Sequence, residues 1–484
     1  HQHTTSIQHE LNHQIYRINT KLERLLNCNQ ISADIYKQLS VRIDEHRFGY
    51  LYFLPKFSFD DSNDFLVEPM FSMYRSLTWK IANYLYDLLE PIVLPLLLSS
   101  IIINESDLID RLHSYSTIER RLRPTTIFVR LKLTNFYHLF SHSSIINRVG
   151  YILTTVRSNA PIENLSIVTI EDLIALFLQN NVFYYQGEIY RFLEGLPNSM
   201  RLSDLLLSVC LYYWKTRVVA DHRLKNEIFV WCKDEIFFTW NYPEKDLHEF
   251  LDRIKTVYND EIEMHICYGR SITYRDIYIE NRHGQLYSRI YDPDCRSKLS
   301  LPYVVGYPNE LHRRWFQASL RRALHVCSHY EDFCQERLSL EVSCCLSGYT
   351  HRWIESELTE FYHYYCIAQH RFYMTPSIYA HLRRRLFTSL ATRHDNTVQR
   401  LNALSNKNVR RISYIYNYGP CQHFEEKVYE LWSTFAKRQA ASTKPLQTIS
   451  LSALHLFSLN TLLAEPKSID ELFKRTTAFN KGQT

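Results

Sequence analysis

Apolar side chains recur every three or four residues along several parts of the chain, as they do on one face of an amphipathic helix. Residues 7–27 show this pattern, and a second helix is predicted from Ser32 to about Val41. A third helix is predicted over residues 76–93. It should stop at Pro91, because proline has no amide hydrogen to donate inside a helix.

Alternation of apolar with polar positions, rich in β-branched and aromatic residues, predicts strands in other segments. Residues 48–59 are expected to form a strand that ends at Pro55. Residues 125–140 are expected to form a strand that leads into a turn or a short helix. A longer helix should follow over residues 144–153.

Three hairpins are predicted where short apolar runs flank turn residues. They cover residues 181–195 around Gly187, 227–240 around Lys233 and Asp234, and 276–291 around His283 and Gly284. Helices are predicted between and after them, over 203–215 with Ser203 as N-cap, over 247–258, from Trp315 to about Phe361, and again through Leu401.

Strands and helices alternate in the middle of the chain without a repeating unit, and helices dominate after it. This order predicts the α+β class, with a sheet domain followed by a helical domain. The tail after Gln439 is weakly patterned, and the chain contains no internal repeat or low-complexity tract.

The composition is that of a folded protein, with 484 residues, 45% hydrophobic and 22% charged. Only 10 residues are glycine, which disfavours glycine-rich phosphate loops. The 11 cysteines show no CxxC pair or zinc-ligand spacing, so we expect reduced thiols in an intracellular protein. The most apolar stretch, residues 91–103, is too short and proline-broken to span a bilayer. The given sequence starts with His1 and shows no signal-peptide pattern there, which leaves open a missing N-terminal segment. We therefore expect a soluble protein without membrane contact.

The net charge is +5, and the isoelectric point of about 8.5 is mildly basic. Basic residues cluster in the C-terminal half, most densely at Arg383, Arg384 and Arg385. Such a cluster is typical of a solvated helix face and also of a nucleic-acid contact, and charge alone leaves both open.

The acidic pair Asp234-Glu235 precedes an apolar, strand-forming run in "CKDEIFFTW". An acidic doublet at a hairpin tip can hold a divalent metal, and it can equally be an ordinary polar turn before a buried strand. The sequence shows no HExxH, GxSxG or GxxxxGK[ST] motif that would point to another chemistry.

Seven segments, in chain order, resemble the conserved blocks of the reverse transcriptases of Penelope-like retroelements. They are similar above all to the Athena-type branch, which lacks the GIY-YIG nuclease and is related to telomerase. "LYFLPKFSF" resembles LYGLPKxHK, "VEPMFSMYRSLTWKIANYL" resembles RPIVSxxGSPTYKLAKYL, and "FVRLKLTNFYHLFSH" resembles FxxDVxxLYTxIP. "GLPNSMRLSDLL" resembles GIPQGxxLSxLL, and "WCKDEIFF" resembles RYxDDIFxxW. The hairpin "YRDIYIENRHGQLYSRIY" and the segment 303–358, similar to the Penelope-type thumb, complete a resemblance that covers roughly residues 30–365.

The resemblance implies a right-hand polymerase with an antiparallel palm sheet and a helical thumb, whose family activity is RNA-directed DNA synthesis. The implied divisions are an N-terminal helical region 1–45, fingers and palm 46–295, a thumb 296–400 and a C-terminal extension 401–484. Positions implied to contact the nucleotide or the template are Lys56, Tyr137, Gly195, Pro197, Asn198 and Ser203.

The family uses two Mg²⁺ ions held by carboxylates from neighbouring strands. Asp234 and Glu235 occupy the positions of the catalytic doublet, but Lys132 stands where the palm motif has its essential aspartate. An ammonium repels a divalent ion, so we expect a vestigial metal site, weak or absent Mg²⁺ binding and little or no polymerase activity. Lys132 should face Asp234 across neighbouring strands.

The implied partners are nucleic acids: an RNA template, a DNA primer or an RNA–DNA duplex. The residues expected to grip them are Arg321, Arg322, Arg383, Arg384 and Arg385. Three hypotheses stay open: a weakened enzyme, a non-catalytic duplex-binding module repurposed from a reverse transcriptase, and the product of a decaying gene. Family role implies a nuclear location, and the oligomeric state does not follow from the sequence.

Overall fold

The computed structural model describes the chain from residue 2 to residue 387 with gaps, together with three short later segments. The described residues are 2–43, 45–56, 66–102, 104–157, 162, 164–217, 221–256, 264–291, 303, 309–365, 374–387, 409–416, 427–434 without 429 and 433, and 448–455.

Eleven α-helices have defined bounds within these ranges. They are α1 Gln2–Asn27, α2 Ala33–Leu39, α3 Trp79–Leu97, α4 Glu105–His113, α5 His142–Arg157, α6 Ile167–Gln179, α7 Arg201–Arg217, α8 Glu244–Thr256, α9 Asn309–Val326, α10 Tyr330–Leu346 and α11 His351–Tyr364. Residues 376–387 are also helical.

The strands of the described residues form four sheets. They are β1 Gly49–Lys56, β2 Leu66–Ser72, β3 Ile127–Leu133, β4 Val182–Tyr185, β5 Glu188–Arg191, β6 Phe229–Cys232, β7 Glu235–Trp240, β8 Met264–Gly269, β9 Ser271–Tyr274, β10 Ile277–Arg282, β11 Gln285–Ile290, β12 Val409–Tyr416 and β13 Thr448–His455.

A four-stranded antiparallel sheet of order β6-β7-β3-β8, called the central sheet below, occupies the middle of the fold. Residues on one face alternate with residues on the other, as the period of a strand requires. Val129, Leu131 and Phe238 lie on the face that joins the largest hydrophobic core with α1, α3 and α5 to α8. Phe128 and Phe237 lie on the opposite face, in a second core.

A second four-stranded sheet has the order β2-β1-β4-β5, with β1 and β4 parallel and the other neighbours antiparallel. Strand β2 was not predicted, since it contains Pro69. The strand tolerates this proline because β2 lies at the edge of the sheet. On the outer side of an edge strand no neighbouring strand requires a hydrogen bond from a backbone amide.

A three-stranded antiparallel sheet, β9-β10-β11, packs against the second core through Ile272, Tyr274, Ile277 and Ile279. The helices from α9 onward form a third core around Phe316, Leu320 and Leu358. The antiparallel central sheet, its covering helices and the helical C-terminal part confirm the expected α+β class. The division of the chain at residues 45, 295 and 400 stays a prediction.

Helix α3 does not stop at Pro91 but continues through Pro91 and Pro95 to Leu97, so that prediction is wrong. The last turns bury Ile92, Val93 and Leu97 in the largest core. Each of these three buried side chains contributes roughly 1.5–3 kcal/mol, which together is comparable with the roughly 6 kcal/mol that two internal prolines cost.

Helix α7 begins at Arg201, two residues before the predicted N-cap Ser203, which instead lies buried inside the first turn. Helices α4 and α6 were not predicted, although Asn104 and Ser166 cap them by accepting the amides of Asp107 and Thr169. In the weakly patterned tail after Gln439, β13 pairs in parallel with β12, which lies before that tail. Residues 388–401 of the predicted last helix lie outside the described ranges.

Candidate functional site

The hairpin of β6 and β7 closes on a two-residue turn, Lys233-Asp234, at one end of the central sheet. Lys233 adopts a left-handed backbone, with φ of 53°. Cys232 pairs with Glu235 across the hairpin, and the amide of Leu133 on β3 donates to the carbonyl of Asp234 over 2.8 Å. The predicted hairpin and its turn are confirmed.

Lys132 lies at the same end of the sheet, on the neighbouring strand β3. Its direct cross-strand partner is Glu235 on β7 and, on the other side, His265 on β8. Directly opposed residues project from the same face of a sheet, so Lys132 and Glu235 share one face. The expectation that Lys132 faces Asp234 is therefore wrong, because the turn takes Asp234 out of the ladder by one residue.

Glu235 is only 8% exposed, and its carboxylate already has a structural partner. Its Oε2 accepts the backbone amide of Arg275 over 3.2 Å, and its carbonyl accepts the hydroxyl of Tyr274 over 3.1 Å. The guanidinium of Arg275 donates to Glu105 on α4 over 2.8 Å. The second acid of the doublet thus anchors the β9–β10 turn to the central sheet.

These residues do not fit a two-metal centre. Lys132 brings a positive charge to the face that carries Glu235, and Glu235 is committed to the amide of Arg275. Among the residues that the structure describes, no three His, Cys, Asp or Glu side chains lie together in a way that could hold a metal ion. Of the two acids of the pair, Asp234 lies in the turn and Glu235 is the first residue of β7.

Asp204 is a site residue that the sequence reasoning missed. It lies in the first turn of α7, and its carboxylate accepts the hydroxyl of Tyr137 over 2.7 Å. The ammonium of Lys233 lies 3.9 Å from its other oxygen. Asp204 therefore joins three segments that are distant in sequence: the turn after β3, helix α7 and the hairpin tip. In the sequence, the one feature that could have indicated Asp204 is its position directly after Ser203 in "LSDLL".

Burial raises the pKa of Asp204, although the hydrogen bond from Tyr137 and the charge of Lys233 oppose this shift. A carboxyl group whose pKa is higher in the folded state than in the unfolded state stabilises the fold fully at pH values below its unfolded pKa, near 3.8. This stabilisation is lost as the pH rises through the pKa of the folded state. At neutral pH the ionised group therefore costs stability.

Replacing Asp204 with asparagine should remove this pH dependence, because an amide still accepts from Tyr137 and cannot ionise. The lost pairing with exposed Lys233 is worth no more than about 1 kcal/mol, so the variant should melt at the same or a higher temperature at pH 7. Thermal unfolding of both proteins between pH 4 and pH 7 measures this. A variant that follows the pH dependence of the natural chain would contradict the assignment.

Gly195 holds the loop before α7 against the turn after β3. Its φ is +72°, and a Cβ there would lie 2.4 Å from the carbonyl oxygen of Tyr137 and 2.6 Å from Nδ1 of His138. The next amide, of Leu196, donates to that same carbonyl over 2.8 Å. Pro197 follows as a buried residue. The glycine is required both by its backbone conformation and by the close approach of two chain segments.

Asn198 is bound to the edge strand β2. Its Nδ2 donates to the carbonyl of Pro69 over 3.1 Å, and its Oδ1 accepts the amide of Phe71 over 3.2 Å. The side chain thus pairs with β2 much as a further strand would. Ser203 is fully buried, and Lys56 ends β1, with its side chain outside the described residues. The nucleotide-contact roles of these residues stay predictions.

The basic residues of α9 differ in their surroundings. Arg321 is exposed, and its Nε donates to the carbonyl of Gln317 one turn earlier. Arg322 is 26% exposed and forms ion pairs with Asp276 and, at 3.9 Å, with Glu105. A cavity of about 450 Å³ between α4, α9 and α11 is lined by both arginines.

The three consecutive arginines of the helical segment 376–387 are also not equivalent. Arg383 is partly buried, donates to the carbonyl of His325 over 2.9 Å and lies over the ring of Phe387. Arg384 and Arg385 are exposed. Of the predicted nucleic-acid contacts, the structure thus presents Arg321, Arg384 and Arg385 to solvent.

No helix of the described residues combines the length and the apolar character needed to cross a lipid bilayer. No protein-family model matches the sequence, and the comparison with curated proteins gives no match.

Parts of several solved structures align with this chain. Apo telomerase from Candida tropicalis aligns with 75% of this chain and 67% of its own, at 10% identity and a TM-score of 0.42. Telomerase from Candida albicans, in complex with a fragment of telomeric RNA, aligns with 66% of this chain and 55% of its own, at 13% identity and a TM-score of 0.44. The RNA-dependent RNA polymerase of a sicinivirus aligns with 68% of this chain and 71% of its own, at 10% identity and a TM-score of 0.42.

The aligned parts cover 55–71% of the lengths of these solved chains, so this chain corresponds to only part of each. The likeness concerns the fold alone.

Proposed function

We propose that this chain is a reverse-transcriptase-like protein of Penelope or Athena type whose two-metal centre has lost its magnesium affinity. It binds RNA–DNA or RNA duplexes and extends a primer very poorly or not at all. One observation carries the proposal: Lys132 lies in register with Glu235 on one face of the central sheet, beside the hairpin that carries Asp234.

The electrostatic effect of Lys132 is large. At about 4 Å and an effective dielectric constant of about 20, one pair of unit charges interacts with roughly 4 kcal/mol. Exchanging a carboxylate for an ammonium beside a divalent ion therefore costs roughly 16 kcal/mol before screening and rearrangement. A fourfold reduction by solvent still leaves about 4 kcal/mol, or a loss of nearly a thousandfold in metal affinity.

Duplex binding is supported by the exposed cations of the helical part. Arg321 lies on α9, and Arg384 and Arg385 lie on the helical segment that follows α11. Contacts of this kind neutralise backbone phosphates and do not depend on base sequence or on a metal. A nuclear location and a retroelement origin belong to the same proposal.

Two measurements test the proposal: fluorescence anisotropy with an RNA–DNA hybrid in EDTA over a range of salt, and primer extension with Mg²⁺ or Mn²⁺. We expect binding that weakens steeply with salt and no detectable extension. Robust incorporation by the natural chain would overturn the lost-metal argument. Absence of any salt-dependent duplex binding would overturn the binding role.

Replacing Arg384 and Arg385 together with alanine should weaken duplex binding and reduce the slope of log K against log salt by roughly 0.9 for each phosphate contact that is lost. Arg24 is also an exposed arginine, on α1, so Arg24→Ala serves as the control and should leave the slope unchanged. Equal slopes in all three proteins would show that this arginine pair does not contact the duplex.

A further inference from the structure

A cavity of about 580 Å³ opens between α2 and α3, away from the hairpin site. Three aromatic residues, Tyr74, Trp79 and Tyr84, line it together with Arg75 and Lys80. The volume lies within the range of roughly 300–1,000 Å³ typical of small-molecule sites. The cavity therefore has room for a ligand with one aromatic ring system.

Tyr74 forms the centre of a group of aromatic and basic side chains, called the Tyr74 platform below. Its ring is 39% exposed, and the guanidinium groups of Arg47 and Arg75 lie 5.9 and 5.4 Å from its centroid. The ring of Trp79 meets it edge-on at 5.4 Å. Unstacked bases bind to aromatic rings and to the planes of arginine side chains, and this assembly offers both.

The backbone at Arg75, beside the Tyr74 platform, has an unfavourable left-handed conformation. Arg75 has a φ of 57°, which for a long side chain costs roughly 1–3 kcal/mol. Its carbonyl accepts the amide of Arg47 over 3.0 Å, so the backbone segments that carry the two arginines are joined. Such strain is found most often at binding sites, where the surrounding structure maintains it.

Three basic groups at the cavity face two acids, and this excess of one positive charge favours an anionic ligand. Arg75 and Lys80 line the cavity together with two acids, Glu45 and Asp87, and Arg47 lies beside the ring of Tyr74. The carboxylate of Glu45 accepts the ammonium of Lys80 over 2.7 Å. A cation would meet two guanidinium groups at the platform. Exposed amides of Gln38 and Asn83 also line the cavity and can form hydrogen bonds with a base edge.

We infer that this cavity binds a nucleotide, with the base on the Tyr74 platform and the phosphate beside Arg75. The site lies where β1 begins and β2 ends, next to the pair Tyr50–Ser72. The pair Lys56–Leu66 is at the other end of that ladder, six residues and therefore about 20 Å away. The nucleotide site is thus separate from the predicted Lys56 contact and does not rest on the proposed duplex binding.

The test uses the full chain and two probes: single ribonucleoside monophosphates, and a single-stranded RNA of about eight nucleotides. Tyr74→Ala should weaken RNA binding by about 5- to 150-fold, because one stacked base contributes roughly 1–3 kcal/mol. Arg75→Ala should reduce the salt slope by roughly 0.7, the value for one phosphate of a single strand. Isothermal titration calorimetry and fluorescence anisotropy measure both.

Tyr242→Ala is the matched control, because Tyr242 is 42% exposed and lies outside the cavity. It should bind both probes as the natural chain does. If Tyr74→Ala weakens both probes, the site takes free nucleotides as well as a strand; if it weakens only the RNA, the site takes a strand. Unchanged RNA binding by Tyr74→Ala, or an equal loss in Tyr242→Ala, would overturn the inference. A blunt hybrid duplex, measured in parallel, tests the duplex role independently.

Discussion

A Lys132→Asp variant is expected to bind Mn²⁺ about 100- to 1,000-fold more tightly than the natural chain. The change removes an ammonium and adds a carboxylate on the face that Glu235 shares, next to the turn that carries Asp234. The unscreened effect of roughly 16 kcal/mol, reduced about fourfold by solvent, corresponds to this factor. Calorimetric titration with Mn²⁺ measures it directly, and primer extension with Mn²⁺ shows whether the restored ligand set also supports synthesis.

Lys233→Asp is the matched control for that experiment. It makes the same change of charge one residue from Asp234, but its side chain lies beside Asp204, at 3.9 Å, and not in the β3–β7 ladder. We expect it to change Mn²⁺ affinity by less than about tenfold, because only general attraction acts there. Equal gains in the two variants would mean that overall charge is responsible, and the placement of the lost aspartate at Lys132 would then be wrong.

A Gly195→Ala variant is expected to lose about 4 kcal/mol of unfolding free energy. The new Cβ would lie 2.4 Å from the carbonyl oxygen of Tyr137, and the φ of +72° is strained for any residue with a side chain. The loop must then move away from the turn after β3, which breaks the hydrogen bond from the amide of Leu196 to the carbonyl of Tyr137. Urea unfolding followed by circular dichroism gives the change in free energy.

Gly187→Ala separates backbone strain from steric conflict. Gly187 has a φ of +93° in the β4–β5 turn, but a Cβ there meets nothing within 4 Å. We expect a loss of only about 1 kcal/mol at this position. If the two alanine variants lose the same stability, the close approach at Gly195 contributes nothing and the fixed position of Tyr137 must have another cause.

Local patterns were sufficient to predict the elements of the candidate site. The hairpin at Lys233-Asp234, the strand that carries Lys132 and the turn at His283-Gly284 were all predicted, since each depends on short-range alternation and on turn residues. Predictions failed where tertiary burial outweighed local preference. Helix α3 continues past Pro91 because its last turns are buried in the core.

The relation between the site residues could not be predicted in the same way. Asp204 meets Tyr137 and Lys233 although 67 and 29 positions separate them in the sequence. Glu235 is committed to Arg275, a residue 40 positions later. Such contacts depend on how sheets and helices pack, and no periodicity along the chain reports them.

The sequence by itself determined the α+β class and the acidic doublet at a hairpin tip, because these depend on residue identity and near neighbours. The replacement of a carboxylate by Lys132 stays a prediction from the family resemblance. Only the tertiary structure decided that Lys132 opposes Glu235 and not Asp234. A shift of one residue in strand register moves a side chain to the other face, and register is set by the packing of the whole central sheet.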